Sequence, residues 1–198
     1  MTTQVTGSGV NFNGSTSGTI LLTQPAVAGS NTLTLPAETG MLRSTVSVGT
    51  VLQQKSTKLG TVATGTTLMV NDNTIPQNTE GDQYITLAFT PQSAASTLRF
   101  QALMFVAHTV ATANVVAAIF RDSVADAIAA GNVSCPNANT GYMVAVNYDM
   151  TSPGTSAYTY KLRAGGNAAG TLTVNGWGST QYFGGVLFSS LTITEYIP

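Results

Sequence analysis

From residue 46 onward, apolar and polar side chains alternate in short runs divided by turn-forming clusters, a pattern that predicts a succession of β-strands. The runs are 46–54, 66–70, 84–90, 98–109, 114–121, 142–150, 157–163, 171–175 and 186–197. Tyr158, Tyr160 and Leu162 fall on one face, with Thr159, Lys161 and Arg163 on the other. Leu191 and Ile193 oppose Thr192 and Thr194, and Leu98, Phe100 and Ala102 oppose Arg99 and Gln101. A period of two with one polar side belongs to an antiparallel sheet that is wet on one face. The stretches 104–107 and 115–120 are apolar at every position, so those strands are either central or covered by a neighbouring subunit.

Turn chemistry separates the runs at Asn71-Asp72-Asn73, 77–82, 91–95, Ser152-Pro153-Gly154, Ala164-Gly165-Gly166-Asn167 and Gly176-Trp177-Gly178. Strands follow strands without βα alternation. The expected fold is therefore all-β, an antiparallel β-sandwich or jelly roll. Residues 123–130 fit two readings equally: a short helix capped by Ser123 and ended by Gly131, or a polar excursion between strands.

Residues 1–43 have another character. No charged residue precedes Glu38, and two short β-prone pieces, 19–23 and 31–35, flank Gln24-Pro25 and Gly29-Ser30. Two such strands do not hold together alone in water. The chain is thus expected to divide into an N-terminal arm, 1–43, and a head, 44–198. The arm is expected to pack on its own head, on sister arms or on a partner, through Ile20, Leu22, Leu33 and Leu35.

Composition narrows the function. Charged residues are 8% of the chain, seven basic and eight acidic, against about 25% in an average soluble domain. Seven scattered Lys and Arg make no footprint for nucleic acid or for an anionic membrane surface. The polar share is carried instead by Thr, Ser, Asn, Gln and Gly, with 32 Thr suited to pleated, half-wet surfaces. So neutral a surface favours association, and much of it is expected to lie against other subunits. The N-terminus lacks the basic start and apolar run of a signal peptide, and no apolar stretch approaches the length of a membrane-spanning helix.

Candidate chemistry is sparse. Cys135 and His108 are the only residues of their types, so one chain has neither a disulfide nor a cysteine–histidine zinc set. His108 lies inside an apolar strand, no Gly-x-Ser-x-Gly elbow is present, and neither a P-loop nor a dinucleotide fingerprint occurs. Asp72, Glu80 and Asp82 share one loop region and read either as oxygen ligands for calcium or as solvated turn residues. No enzyme activity, cofactor or metal is expected. Trp177, the single tryptophan, sits between glycines with Tyr182 close behind. The pair is a candidate contact, either for a glycan or for a subunit interface.

The arm segments Gly14-Ser15-Thr16-Ser17-Gly18-Thr19-Ile20 and Gln24-Pro25-Ala26-Val27-Ala28-Gly29-Ser30-Asn31-Thr32-Leu33-Thr34-Leu35-Pro36 resemble a linker-like repeat of tailed-bacteriophage virion proteins. The body, with Gly49-Thr50-Val51-Leu52, Ala88-Phe89-Thr90-Pro91 and Leu191-Thr192-Ile193-Thr194-Glu195-Tyr196-Ile197, looks like the trimeric jelly-roll domain at the C-terminus of such proteins. The resemblance implies a homotrimer in the virion, assembled in the host cytoplasm and attached by its arm to the major capsid protein or another virion protein. The chain shows no shaft repeats, which favours a capsid decoration (cement) protein or head fibre. The alternative is a short tail fibre or receptor-binding protein that recognises host-surface glycan.

Overall fold

In the computed structural model, the described residues are Val10–Asn13, Thr19–Leu22 and 48–198. The chain forms two compact units, Met1–Arg43 and Ser44–Pro198. In the first, β1 (Val10–Asn13) pairs antiparallel with β2 (Thr19–Leu22), setting Val10 opposite Leu22 and Phe12 opposite Ile20. The β-prone piece 31–35, with Leu33 and Leu35, lies outside the described residues.

The second unit is all β. Its strands are β3 (Val51–Leu59), β4 (Ala63–Gly65), β5 (Asp82–Phe89), β6 (Thr97–His108), β7 (Ala113–Arg121), β8 (Ala129–Cys135) and β9 (Tyr142–Thr151). They continue with β10 (Tyr158–Gly166), β11 (Leu172–Val174), β12 (Gly176–Trp177), β13 (Thr180–Gln181) and β14 (Ser189–Tyr196). One sheet runs β5-β10-β7-β8. In the other, β14 joins β3 to β6, β9 lies on the far edge of β6, and β11 and β4 extend the end of β6. All these pairings are antiparallel, and the eight long strands have the order of a jelly roll, β3-β14-β6-β9 facing β5-β10-β7-β8.

Alternation along each strand builds the core between the sheets. Phe89, Leu98, Phe100, Met104, Ile119, Tyr160, Leu162, Leu191 and Ile193 are all buried there, with Phe100 edge-on to Tyr160 at 4.9 Å between ring centres. The two open sides close by edge contact. On one side, Lys55 Nζ donates to Ala88 O (2.8 Å) and Gln53 Nε2 to Thr90 O (2.7 Å), tying β3 to the edge of β5. On the other, β8 presses on β9 so closely that a Cβ at Gly131 would collide with the Ala145 carbonyl oxygen.

Tyr160 is fully buried, and its hydroxyl has no partner among the described residues. Burial, the leading cause, pushes its pKa up to about 12. An unpaired buried hydroxyl costs free energy that a phenyl ring does not. Tyr160→Phe is expected to keep stability within about 1 kcal/mol of wild type or to raise it, as read by urea titration. A larger loss would mean that the hydroxyl has a partner, such as a buried water.

Several sequence expectations shift. The first head strand begins at Val51, after the turn at residues 48–49, and runs to Leu59. Its inward positions Gln53, Lys55 and Thr57 are polar, and the first two bond to the neighbouring edge, so hydrophobic alternation does not mark it. Residues 66–70 form no strand. Met69 N–H donates to Gly166 O and Gly81 N–H to Leu68 O, so this segment crosses the outer face of β7 and β10 and buries Met69. Residues 123–130 form no helix. Val124 N–H turns back to Arg121 O, Asp126 bridges to Gln77, and β8 begins at Ala129. Strand β8 itself went unpredicted, since Gly131, Asn132 and Ser134 interrupt any apolar pattern. The last strand starts at Ser189, after a 3-10 turn at Phe183–Gly185.

The doubly apolar stretch in β7 is now accounted for. Val115, Ala117 and Ile119 enter the main core, while Val116, Ala118 and Phe120 form a second cluster with Met69 and Ala127. The chain's own loops cover that outer face, so no neighbouring subunit is needed there.

Candidate functional site

The excursion between β10 and β14 carries the least regular backbone of the head. Asn175, Gly178, Ser179, Phe183, Gly184 and Gly185 all have left-handed φ, between 54° and 91°. Asn175 anchors it. This residue is buried, its Nδ2 donates to Leu59 O (2.7 Å) and Thr61 O (3.0 Å), and its Oδ1 accepts from Ser189 Oγ (2.8 Å). Beyond it, β12 and β13 form a hairpin in which Trp177 faces Thr180 across Gly178-Ser179. Two left-handed central residues match the twist of tight hairpins.

The hairpin returns Tyr182 flat onto Trp177, with ring centres 3.6 Å apart and planes 19° apart. Phe183 stands edge-on to Trp177 at 6.5 Å, and Phe105 of β6 lies on another side at 5.9 Å. The structure thus unites the two sequence candidates, Trp177 and Tyr182, in one half-buried aromatic slab. It adds two rings that the sequence did not single out. Phe183 is 65% exposed. Phe105 covers Gly141 so tightly that any Cβ there would enter the ring. An open cleft of about 520 Å³ results, lined by Phe105, Trp177 and Phe183 together with Asn139, Thr140 and Gly141.

The cleft continues onto the outer face of the sheet containing β6, β9 and β14. Met143 lies beside Phe105 and is 55% exposed. Beyond it is a shallow groove of about 280 Å³ over Gln101, Leu103, Ala145, Asn147, Ser190 and Thr192. Charge appears only at the margins of this face. Arg99 pairs twice with Asp149 (2.9 and 2.8 Å), Tyr196 also donates to Asp149, and Lys58 sits over the exposed Phe188 ring. The hydrogen bond from Arg99 holds the Asp149 carboxyl below its usual range.

The remaining candidates are occupied within their own loops. Asp72 accepts from Thr74, Glu80 from Gln77 N–H and Val70 N–H, and Asp82 from Thr67. Among the described residues, no group of three or more His, Cys, Asp or Glu is placed to hold a metal ion. His108 is buried, and its Nδ1 accepts from Val110 N–H at 3.1 Å. Cys135 is buried in the core, which raises its thiol pKa.

No protein-family model and no curated protein matches the chain. Among solved structures, the chain is similar to one from the infectious bursal disease virus VP2 subviral particle. Identity is 13%, 91% of this chain and 46% of that chain are covered, and the TM-score is 0.33. A second, from the Gx strain of infectious bursal disease virus, gives 18% identity, 91% and 47% coverage and a TM-score of 0.29. The chain spans under half the length of either.

Proposed function

We propose that this protein is a non-enzymatic structural component of a tailed-bacteriophage particle, a homotrimeric capsid decoration (cement) or head-fibre protein. The observation that carries this reading is the asymmetry of the head. Loops of the chain itself cover the outer face of β7, whereas among the described residues the outer face of β6, β9 and β14 is left bare, with charge only at its margins. Jelly rolls are common in viral shells. A face of Thr, Ser, Asn, Gln and Ala with exposed Met143 carries little like-charge repulsion against a copy of itself, and its hydroxyls and amides can pair across such a contact, which offsets their desolvation. Three heads meet through this face, and the arm, 1–43, attaches the trimer to the major capsid protein. The function is mechanical: many symmetric copies each add modest burial across the shell.

Thr192→Glu together with Gln101→Glu is expected to turn the trimer into monomers with unchanged circular dichroism, as measured by light scattering after gel filtration. Removal of residues 1–43 is expected to leave a trimer that no longer sediments with capsids. A monomeric wild-type protein, or capsid binding that survives the deletion, contradicts the reading.

A further inference from the structure

We propose that the cleft between the Trp177–Phe183 aromatic cluster and the 139–141 loop is a binding site for a neutral saccharide. The proposal goes beyond the structural role above, and it stands whether or not the protein belongs to a virus particle.

Three features of the cleft point to that ligand class. The first is an exposed ring held out at a conformational cost. Phe183 has φ 54° and is 65% exposed. A bulky aromatic in the left-handed region is a backbone outlier, and folding alone gives no reason to point it into water. The stack of Trp177 on Tyr182 stiffens the wall behind it. Rigid aromatic surface offers a flat face to the C–H face of a sugar ring, with little entropy left to lose.

The second feature is unspent hydrogen-bonding capacity in the same lining. Asn139 is exposed and also left-handed, at φ 51°. Its backbone N–H is fixed to His108 O at 2.8 Å, and no described residue holds its side-chain amide. An amide both donates and accepts, as vicinal hydroxyls require. The third is charge. Among the described residues no charged side chain lines the cleft, so its electrostatic complement is an uncharged ligand and not a sialylated or phosphorylated one. A volume of about 520 Å³ lies within the range of small-ligand sites.

Trp177 is the only tryptophan, so tryptophan emission, excited where the seven tyrosines do not absorb, reports on this cleft. The full chain is titrated with a panel of neutral oligosaccharides built from glucose, galactose, N-acetylglucosamine and rhamnose. At least one is expected to shift or quench the emission with saturation in the millimolar range or below. Phe183→Asn keeps a residue that tolerates left-handed φ and removes the ring. Asn139→Gly removes the amide without adding strain. Each is expected to weaken binding by about tenfold or more with an unchanged unfolding midpoint and oligomeric state. Val186→Ser, on the same excursion but outside the cleft, is expected to bind like wild type. Should Phe183→Asn lower the unfolding midpoint, Asn139→Gly decides the question by itself. No response to any sugar in the panel overturns the proposal, as does wild-type affinity in Asn139→Gly. If either variant changes the oligomeric state, the cluster is a contact between copies and the proposal also fails. None of these failures bears on capsid binding by the arm.

Discussion

Glu195→Ala is expected to destabilise the head by about 3–5 kcal/mol in urea titration, because it removes the shared charged acceptor of four donors and strands the buried Ser96 hydroxyl. Glu195 is the one fully buried carboxylate among the described residues, and it points inward from β14. It accepts from Gln92 N–H (2.9 Å), Ser93 N–H (3.0 Å), Ser96 Oγ (2.6 Å) and Gln53 Nε2 (2.7 Å). These groups belong to β3 and to the turn between β5 and β6, so one side chain pins three parts of the jelly roll. Among the described residues no cation pairs with it; the charge is held by hydrogen bonds, which are stronger to an ionised acceptor. Burial alone would raise its pKa, but the bonds from Ser96, Gln53, Gln92 and Ser93 outweigh burial and hold it below the usual range.

The sign of the pH dependence follows. A carboxyl depressed in the folded state contributes stability above its unfolded pKa, and that contribution is lost as pH falls through the folded value. Wild type is therefore expected to lose stability on acidification through the carboxylate range. Glu195→Gln starts lower at neutral pH and shows a flatter acid limb. Parallel acid limbs for the two proteins would assign the acid sensitivity to other groups.

Asn175→Ala ranks second, with an expected loss of about 3–4 kcal/mol. The substitution strands Leu59 O, Thr61 O and Ser189 Oγ, and it also places alanine at φ 60°. Asn175→Gly loses the same bonds but accepts the backbone. It is expected to be more stable than Asn175→Ala by about 1 kcal/mol. Equal stabilities would show that the left-handed conformation relaxes once the amide is gone. Because Asn175 fixes the root of the hairpin, both variants are also expected to alter Trp177 emission. Val174 and Gly176, its neighbours, are buried, so the disturbance passes directly into β12.

Much of the fold was legible in strands where one face is apolar. Strands β6, β7, β9 and β10 lie within a few residues of the runs that predicted them, because burial between the sheets selects a period of two. Strand β3 was misplaced and β8 was missed for the opposite reason. Both are edge strands whose inward or closing positions are Gln53, Lys55 and Gly131, chosen for contact with the opposite sheet and not for hydrophobicity. In the candidate site, Trp177 and Tyr182 stood out by type and spacing. Phe105 lay in the apolar run 104–107, which fits a central strand or one covered by a neighbour, and neither Phe183 nor Asn139 was assigned a role. Their meeting depends on a hairpin and a turn built from left-handed residues, and local sequence does not announce it.

The sequence by itself determined the all-β class, the scarcity of charge and the poverty of catalytic side chains, since these follow from side-chain periodicity and composition. Only the tertiary structure decided which outer face is covered and which is bare. It alone made Glu195 a buried fastener and brought three aromatic rings to one cleft. Those outcomes depend on contacts between residues distant in the chain, where the energy comes from which surfaces meet and not from what each segment prefers alone.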